Sequence, residues 1–234
     1  ICNNTQNQKQ SSNIKLQYGL RDDGTLVFID DVPKENNGLK CNFVCPKCKT
    51  PLIARLGDIK RHHFAHGNND CNILSIQETT LHLLAKQIIK ENKTVKFPRY
   101  NIEFSQTKVY STLREEDRNR VEIDYSRCPT FEAKEEQKLV FDEIHLEQRI
   151  DDIIPDVIAI KNSSKCLIEI AVTHFTDDYK KAKLKELNLP TLELALSDFP
   201  RENISKDELI KIIEEDTRRK KWVLNPNVHK KYLN

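Results

Sequence analysis

The sequence predicts a mixed α/β domain carrying a small metal-stabilised module at its front. Three observations predict it. From residue 75 onward the pattern runs helix, several strands, helix, strand, the signature of a mixed α/β layer structure. Four of the 7 Cys fall within residues 41–71, among several His. And 234 residues, 38% hydrophobic and 32% charged, suit one ordinary domain plus a smaller unit.

Taken in order, residues 1–13 are Asn, Gln and Ser with little apolar content and read as a polar tail. Ile14–Tyr18 and Thr25–Ile29 flank Asp22-Asp23-Gly24, a β-hairpin signal. With the Cys/His-rich stretch that follows, they make a module over 14–74. Ser75-Ile-Gln-Glu78 reads as a capping box opening a helix to about Asn92, with Leu81, Leu84, Ala85 and Ile88 as its apolar stripe. Strand-like runs follow at Thr94–Phe97, Asn101–Phe104, Val121–Tyr125 and Leu139–Leu146, with charged loops over 113–120 and 132–138.

Asp156–Ile160 and Cys166–Phe175 are the strongest strands, joined by the turn-forming Lys161-Asn-Ser-Ser164. Thr176 and the two Asp after it start a helix through about Asn188, Pro190 ends it, and Thr191–Leu196 is a further strand. This defines a domain over 75–200. Ser205-Lys-Asp-Glu208 is a second capping box, opening the helix of a C-terminal segment, 201–234, that ends in a basic tail.

Composition narrows the function classes. No apolar run approaches the length of a membrane helix, so no membrane partner is expected. No basic stretch followed by an apolar one opens the chain, so the expected location is the cytoplasm. Net charge is only +2, but it is unevenly spread. Lys47, Lys49, Arg55, Lys60 and Arg61 face only Asp58 within 41–66. Arg218, Arg219, Lys220, Lys221, Lys230 and Lys231 face only Asp216 within 216–234. Both stretches read either as solvated faces or as phosphate-contacting patches.

Cys45-Pro-Lys-Cys48 is a knuckle in which two thiolates reach one ion without strain. His62, His63, His66 and Cys71 lie downstream. The reading is a structural Zn2+ held by Cys45, Cys48, His66 and Cys71, with His63 as the rival ligand and Cys41 near enough to compete. So short a Cys-dense segment has little core of its own, and four protein ligands leave no open position for catalysis. Cys2, Cys128 and Cys166 have no partner by spacing, and Cys166 reads as buried packing.

A second constellation is acidic. Asp156 opens one strand, and Glu169 lies in the next among Ile168, Ile170 and Val172. A short turn makes the strands antiparallel neighbours and brings the carboxylates side by side. Two carboxylates in apolar surroundings repel and are costly to ionise, and a hard divalent cation resolves both problems. This is the physical case for Mg2+ or Mn2+. The alternative is a Glu169 that is salt-bridged or faces solvent.

PD-x12-E-x-A resembles the PD-(D/E)XK nuclease motif, with Asp156 and Glu169 matching its acidic pair. The surrounding PDVIAI, CLIEIAVTHFTDDYKK and LPTLELALSDF resemble the nuclease region of competence protein CoiA-like proteins, as do CPKC, LIARLGDIKRHHFAH, Cys71 and ETTLHLLAKQII in the front half. Together they cover roughly residues 25–200. The resemblance implies an αβββαβ, restriction-endonuclease-like core behind a zinc-knuckle module, bound Mg2+ and DNA as substrate.

One departure matters. The motif's Lys belongs two residues after the Glu, about 7 Å along the strand, and that position is Ala171. Lys180, in the first turns of the following helix, is the expected substitute, with Lys181 behind it. Thr173 shares Glu169's face and His174 opposes it. Glu78, His82 and Lys86 form one polar stripe on the first helix. The resemblance makes Glu78 a further candidate carboxylate, against its capping-box role. Glu147 and Arg149 either face the site or pair with each other.

The expected activity is Mg2+-dependent hydrolysis of DNA phosphodiester bonds, an endonuclease-type hydrolase. Asp156, Glu169 and the Ile170 carbonyl hold the metal, Lys180 orients the water, and the zinc module and basic tail grip the backbone. The departure at Ala171 keeps a second function open, a catalytically inert DNA-binding or recombination-assisting protein. A zinc-stabilised protein adaptor is the third. A homodimer is left open.

Overall fold

The computed structural model describes residues 14–66, 71–103 and 130–226. The predicted tail over 1–13, the loop over 113–120, the strand Val121–Tyr125, Cys2, Cys128, Lys230 and Lys231 lie outside them.

In the front module β1 (Ile14–Leu16), β5 (His63–His66) and β4 (Leu52–Arg55) form an antiparallel three-stranded sheet in that order. The predicted hairpin is shorter than its pattern: only β2 (Tyr18–Leu20) and β3 (Leu26–Phe28) pair, while β1 leaves to join β5. Its turn follows from chemistry, since Gly24 takes φ +83° and Asp23 Oδ1 accepts from the Thr25 N–H. The module does have a core, with Leu16, Ile29, Phe43, Leu52 and Phe64 all buried around Cys45. The expectation of a core-poor segment is therefore corrected: three short strands and two aromatic side chains enclose a buried cluster.

Helix α1 (Ile73–Asn92) starts two residues before the predicted box. Asn72, not Ser75, is its cap, the Asn72 Oδ1 accepting from the N–H groups of Leu74 and Ser75 at 2.9 and 3.2 Å. Glu78 is thereby freed from capping. Ile76 packs into the module core, whereas Leu81, Leu84, Ala85 and Ile88 pack into the main one. Helix α1 spans both cores.

Next, β6 (Thr94–Phe97) pairs with β9 (Gln137–Val140), and β7 (Tyr100–Glu103) with β8 (Thr130–Lys134). The charged stretch 132–138 is thus mostly strand, because cross-strand pairing overrides its polar composition. The run Leu139–Leu146 splits into β9 and β10 (Glu143–Leu146).

The main sheet has the order β10, β11 (Val157–Lys161), β12 (Ser164–Ala171), β13 (Thr191–Ala195), β14 (Lys220–Leu224). Only β12 and β13 are parallel, and helix α2 (Asp178–Leu187) makes their crossover. The β11–β12 turn places Asn162 and Ser163 at φ +47° and +63°, a tight hairpin that sets Val157 opposite Ile168. Helices α1 and α3 (Lys206–Glu214) cover one face, packing on Val157, Ile168, Ile170, Leu192 and Leu194. Leu184 of α2 packs with Ile158 and Leu167 on the other. The Ser205 cap holds as predicted. Among the described residues after 200, α3 belongs to the core and β14 closes the sheet.

Candidate functional site

The ligand atoms of Cys45, Cys48, His66 and Cys71 all lie within 4.8 Å of one another, close enough to hold one structural metal ion such as zinc. Three pieces of chain bring them together. The knuckle turns tightly, with the Cys45 N–H on the Thr50 carbonyl at 2.8 Å and Lys49 at φ +61°. His66 ends β5, its Nε2 3.1 Å from the Cys48 Sγ. Cys71 precedes the Asn72 cap of α1. Burial pushes the Cys48 thiol up, but hydrogen bonds from Thr50, His66 and Cys45 outweigh it and hold it at about 6. Burial and the neighbouring sulfurs push Cys71 up to about 12. Three crowded sulfurs cannot all ionise unless a cation sits among them, and this suits a thiolate-binding metal.

The rivals fall away. His63 lies an odd number of residues from His66 on the same strand, on the opposite face, and its Nδ1 donates to the Arg61 carbonyl at 3.0 Å. The buried Cys41 thiol donates to the Leu52 carbonyl at 3.3 Å. Cys166 is half-buried beside the main core.

The acidic pair does meet. Asp156 immediately precedes β11, and the register Val157 to Ile168 sets it beside Glu169. Its Oδ2 accepts from the Ile170 N–H at 2.9 Å, while its Oδ1 lies 3.1 Å from His82 Nε2 and 4.0 Å from Lys86 Nζ. Burial pushes the Asp156 carboxyl up, but His82, the Ile170 N–H and Lys86 together hold it below its ordinary value. Glu169 is only 5% exposed. Burial pushes it up to about 7, Lys180 opposing and the Asp156 charge reinforcing. Its Oε2 accepts from Lys180 Nζ at 2.6 Å, and its Oε1 is buried with no hydrogen-bond partner among the described residues.

Ala171 is buried and offers no charge. Lys180 reaches back from the first turn of α2, whose Asp177 cap accepts from the Lys180 N–H at 2.7 Å. Lys181 instead pairs with Asp178 at 3.1 Å. The Thr173 hydroxyl donates to Glu78 Oε1, and His174 is exposed. The stripe Glu78, His82, Lys86 therefore faces the acidic strands along its whole length. Lys86, 3% exposed, bridges Glu147 Oε1 at 2.6 Å, so Glu147 pairs with a lysine and not with the exposed Arg149.

One acid escaped the sequence reading. Glu193 of β13 is directly opposite Glu169, fully buried, its Oε2 accepting from the Thr176 N–H and its Oε1 2.8 Å from Lys221 Nζ. The signal was there, because Thr-Leu-Glu-Leu-Ala repeats the apolar flanking of Glu169.

The C-terminal basic patch dissolves among the described residues. Arg218 pairs with Asp216, Arg219 with Asp198, and Lys221 with Glu193. Lys220, 7% exposed, donates to the carbonyls of Ile212, Ile213 and Asp216 at the end of α3. The front-module cations Arg55, Lys60 and Arg61 remain exposed. No helix of the described residues is long and apolar enough to cross a membrane.

Residues 31–74 match the family model for the competence protein CoiA, N-terminal domain, so the front of the chain is CoiA-like. The matched segment contains all four residues of the Cys/His cluster. No curated protein and no solved structure matches the chain.

Proposed function

We propose that the chain is a metal-dependent DNA nuclease of the PD-(D/E)XK kind, serving a competence-related process. The observation that carries this reading is Glu169 beside Asp156 with a buried carboxylate oxygen that has no hydrogen-bond partner among the described residues. Such an oxygen is costly unless something positive meets it. An all-oxygen donor set of two carboxylates suits Mg2+ or Mn2+. With the paired strands β6 to β9 inserted after α1, the remaining order α1, β10 to β12, α2, β13 also supports the reading, because it follows the αβββαβ pattern the resemblance implies.

Bound by Asp156 and Glu169, the ion would lower the pKa of a water molecule and offset charge on the leaving 3′-oxygen. The chain's own residues do the rest. The Ile170 N–H and His82 fix both oxygens of Asp156. Lys180, on Glu169, is the cation available to orient a water and meet phosphate charge in place of the absent strand lysine. Lys86 supplies a second, buried cation beside Asp156.

The inert DNA-binding reading has its own support. Ala171 replaces the motif lysine, and lysines and a histidine already compensate the acids. Incubation of supercoiled and single-stranded DNA with Mg2+ separates the two. Cleavage by the wild type that falls roughly 100-fold or more in Asp156→Ala and Glu169→Ala is the expected result. Binding with no cleavage by any form selects the inert reading.

A further inference from the structure

The zinc module presents a concavity of about 620 Å3 on the face of the β1-β5-β4 sheet turned away from its core. Lys15 of β1, Arg55 at the end of β4, and Lys60 and Arg61 in the β4–β5 loop line it, with His63. The one acid lining it, Asp58, is held by Lys34 at 3.0 Å. Ile59, at the tip of the same loop, is 98% exposed.

The loop is pre-set. Asn37 Oδ1 accepts from the Leu56 N–H at 3.1 Å, Arg61 donates to Asn203 at 2.9 Å, and His62 lies 2.8 Å from Asp30. An array of exposed cations on a braced loop, with one paired acid, fits a polyanion whose charges repeat at short intervals. An apolar tip among those cations suits sugar and base edges between phosphates.

The concavity also leads somewhere. Lys15 lines a second cleft, of about 500 Å3, between β1 and α1, and Arg201 stands at its far side. The Arg201 guanidinium donates to the Val172 carbonyl, one residue before Thr173, whose hydroxyl is on Glu78. The two clefts share Lys15, and Arg201, at the edge of the second, is tied to the segment that carries Thr173.

We propose that this concavity is the DNA-backbone grip, with Arg55, Lys60 and Lys15 on phosphates and Ile59 as the apolar contact, and that the bound strand continues past Arg201 to the acidic pair. This deepens the nuclease reading, and its last clause rests on it; the grip itself does not.

The test measures binding of a fluorescent duplex by the full chain without Mg2+, over a range of salt. Arg55→Gln combined with Lys60→Gln should weaken binding roughly tenfold and lower the slope of log affinity against log salt by about 2. Ile59→Ser should weaken binding with the slope unchanged. Retained zinc content and melting temperature establish that the variants are folded, and Lys185→Gln, an exposed lysine on α2, is the charge control. Unchanged affinity and slope in the double variant overturn the proposal, even if DNA binds elsewhere. Binding of the wild type to anionic phospholipid vesicles but not to DNA also overturns it. Binding that depends on Arg55 and Lys60, with no cleavage on adding Mg2+, upholds the grip and removes only the nuclease reading.

Discussion

Glu169 is the residue on which most of the chemistry turns, because two opposing demands meet there. Apolar neighbours and the Asp156 charge favour its protonated form, while Lys180 favours the carboxylate. Lys180→Met removes the hydrogen bond and the charge that meet Glu169 Oε2. We expect a loss of about 1–3 kcal/mol in urea unfolding at neutral pH, limited by protonation of the orphaned carboxyl. Adding Glu169→Gln should recover much of the loss, because a neutral amide is cheaper to bury than an unpaired charge. An unchanged denaturation midpoint for Lys180→Met would mean that the pair contributes nothing. The adjacency of Asp156 and Glu169 was legible because the turn Lys161-Asn-Ser-Ser164 leaves almost no freedom of register. The role of Glu78 was not, since the pattern from Ser75 to Glu78 fits a capping box as well as Asn72 fits a cap. Local chemistry alone does not rank the two; burial of Ile76 against the module core settles where the helix begins.

At the scale of elements, Glu193 ties β13, β14 and the approach to α2 through Lys221 and the Thr176 N–H. That approach carries Thr173 and leads into α2, where Lys180 stands. Burial pushes its carboxyl up, but Lys221 and Thr176 outweigh this and hold it below its ordinary 4.5. A depressed folded-state pKa means that ionised Glu193 stabilises the fold above about 4.5, and that this stability is lost as pH falls through the folded value. The wild type should therefore melt above Glu193→Gln at pH 6 to 7, and the gap should shrink below pH 4.5. A gap independent of pH would assign the effect to packing alone. The same junction shows why β14 escaped the sequence reading. Lys220-Lys221-Trp222 looks like a solvated basic run, and only the end of α3 makes Lys220 an interior residue, by offering three carbonyls to its ammonium. Partners so distant in sequence leave no periodic trace.

Among the described residues one helix threads the module core and the main core, and the Cys/His cluster lies where they are stitched together. Its ligands come from the knuckle, the end of β5 and the residue before the α1 cap. A metal there would act as a staple between module and helix, working beside the core of Leu52, Phe64 and Ile29. Chelation should therefore loosen the molecule locally. Hydrogen exchange should quicken over residues 43–50 and around the start of α1, while β11, β12 and β13 keep their protection. Cys48→Ser should give the same pattern with metal present in excess, since it removes the thiol held at about 6. If chelation instead exposed the main sheet as well, the two cores would be one cooperative unit and the staple would support all of it. If exchange did not change anywhere, the four side chains would hold their places by packing and hydrogen bonds alone, as Cys41 does on the Leu52 carbonyl.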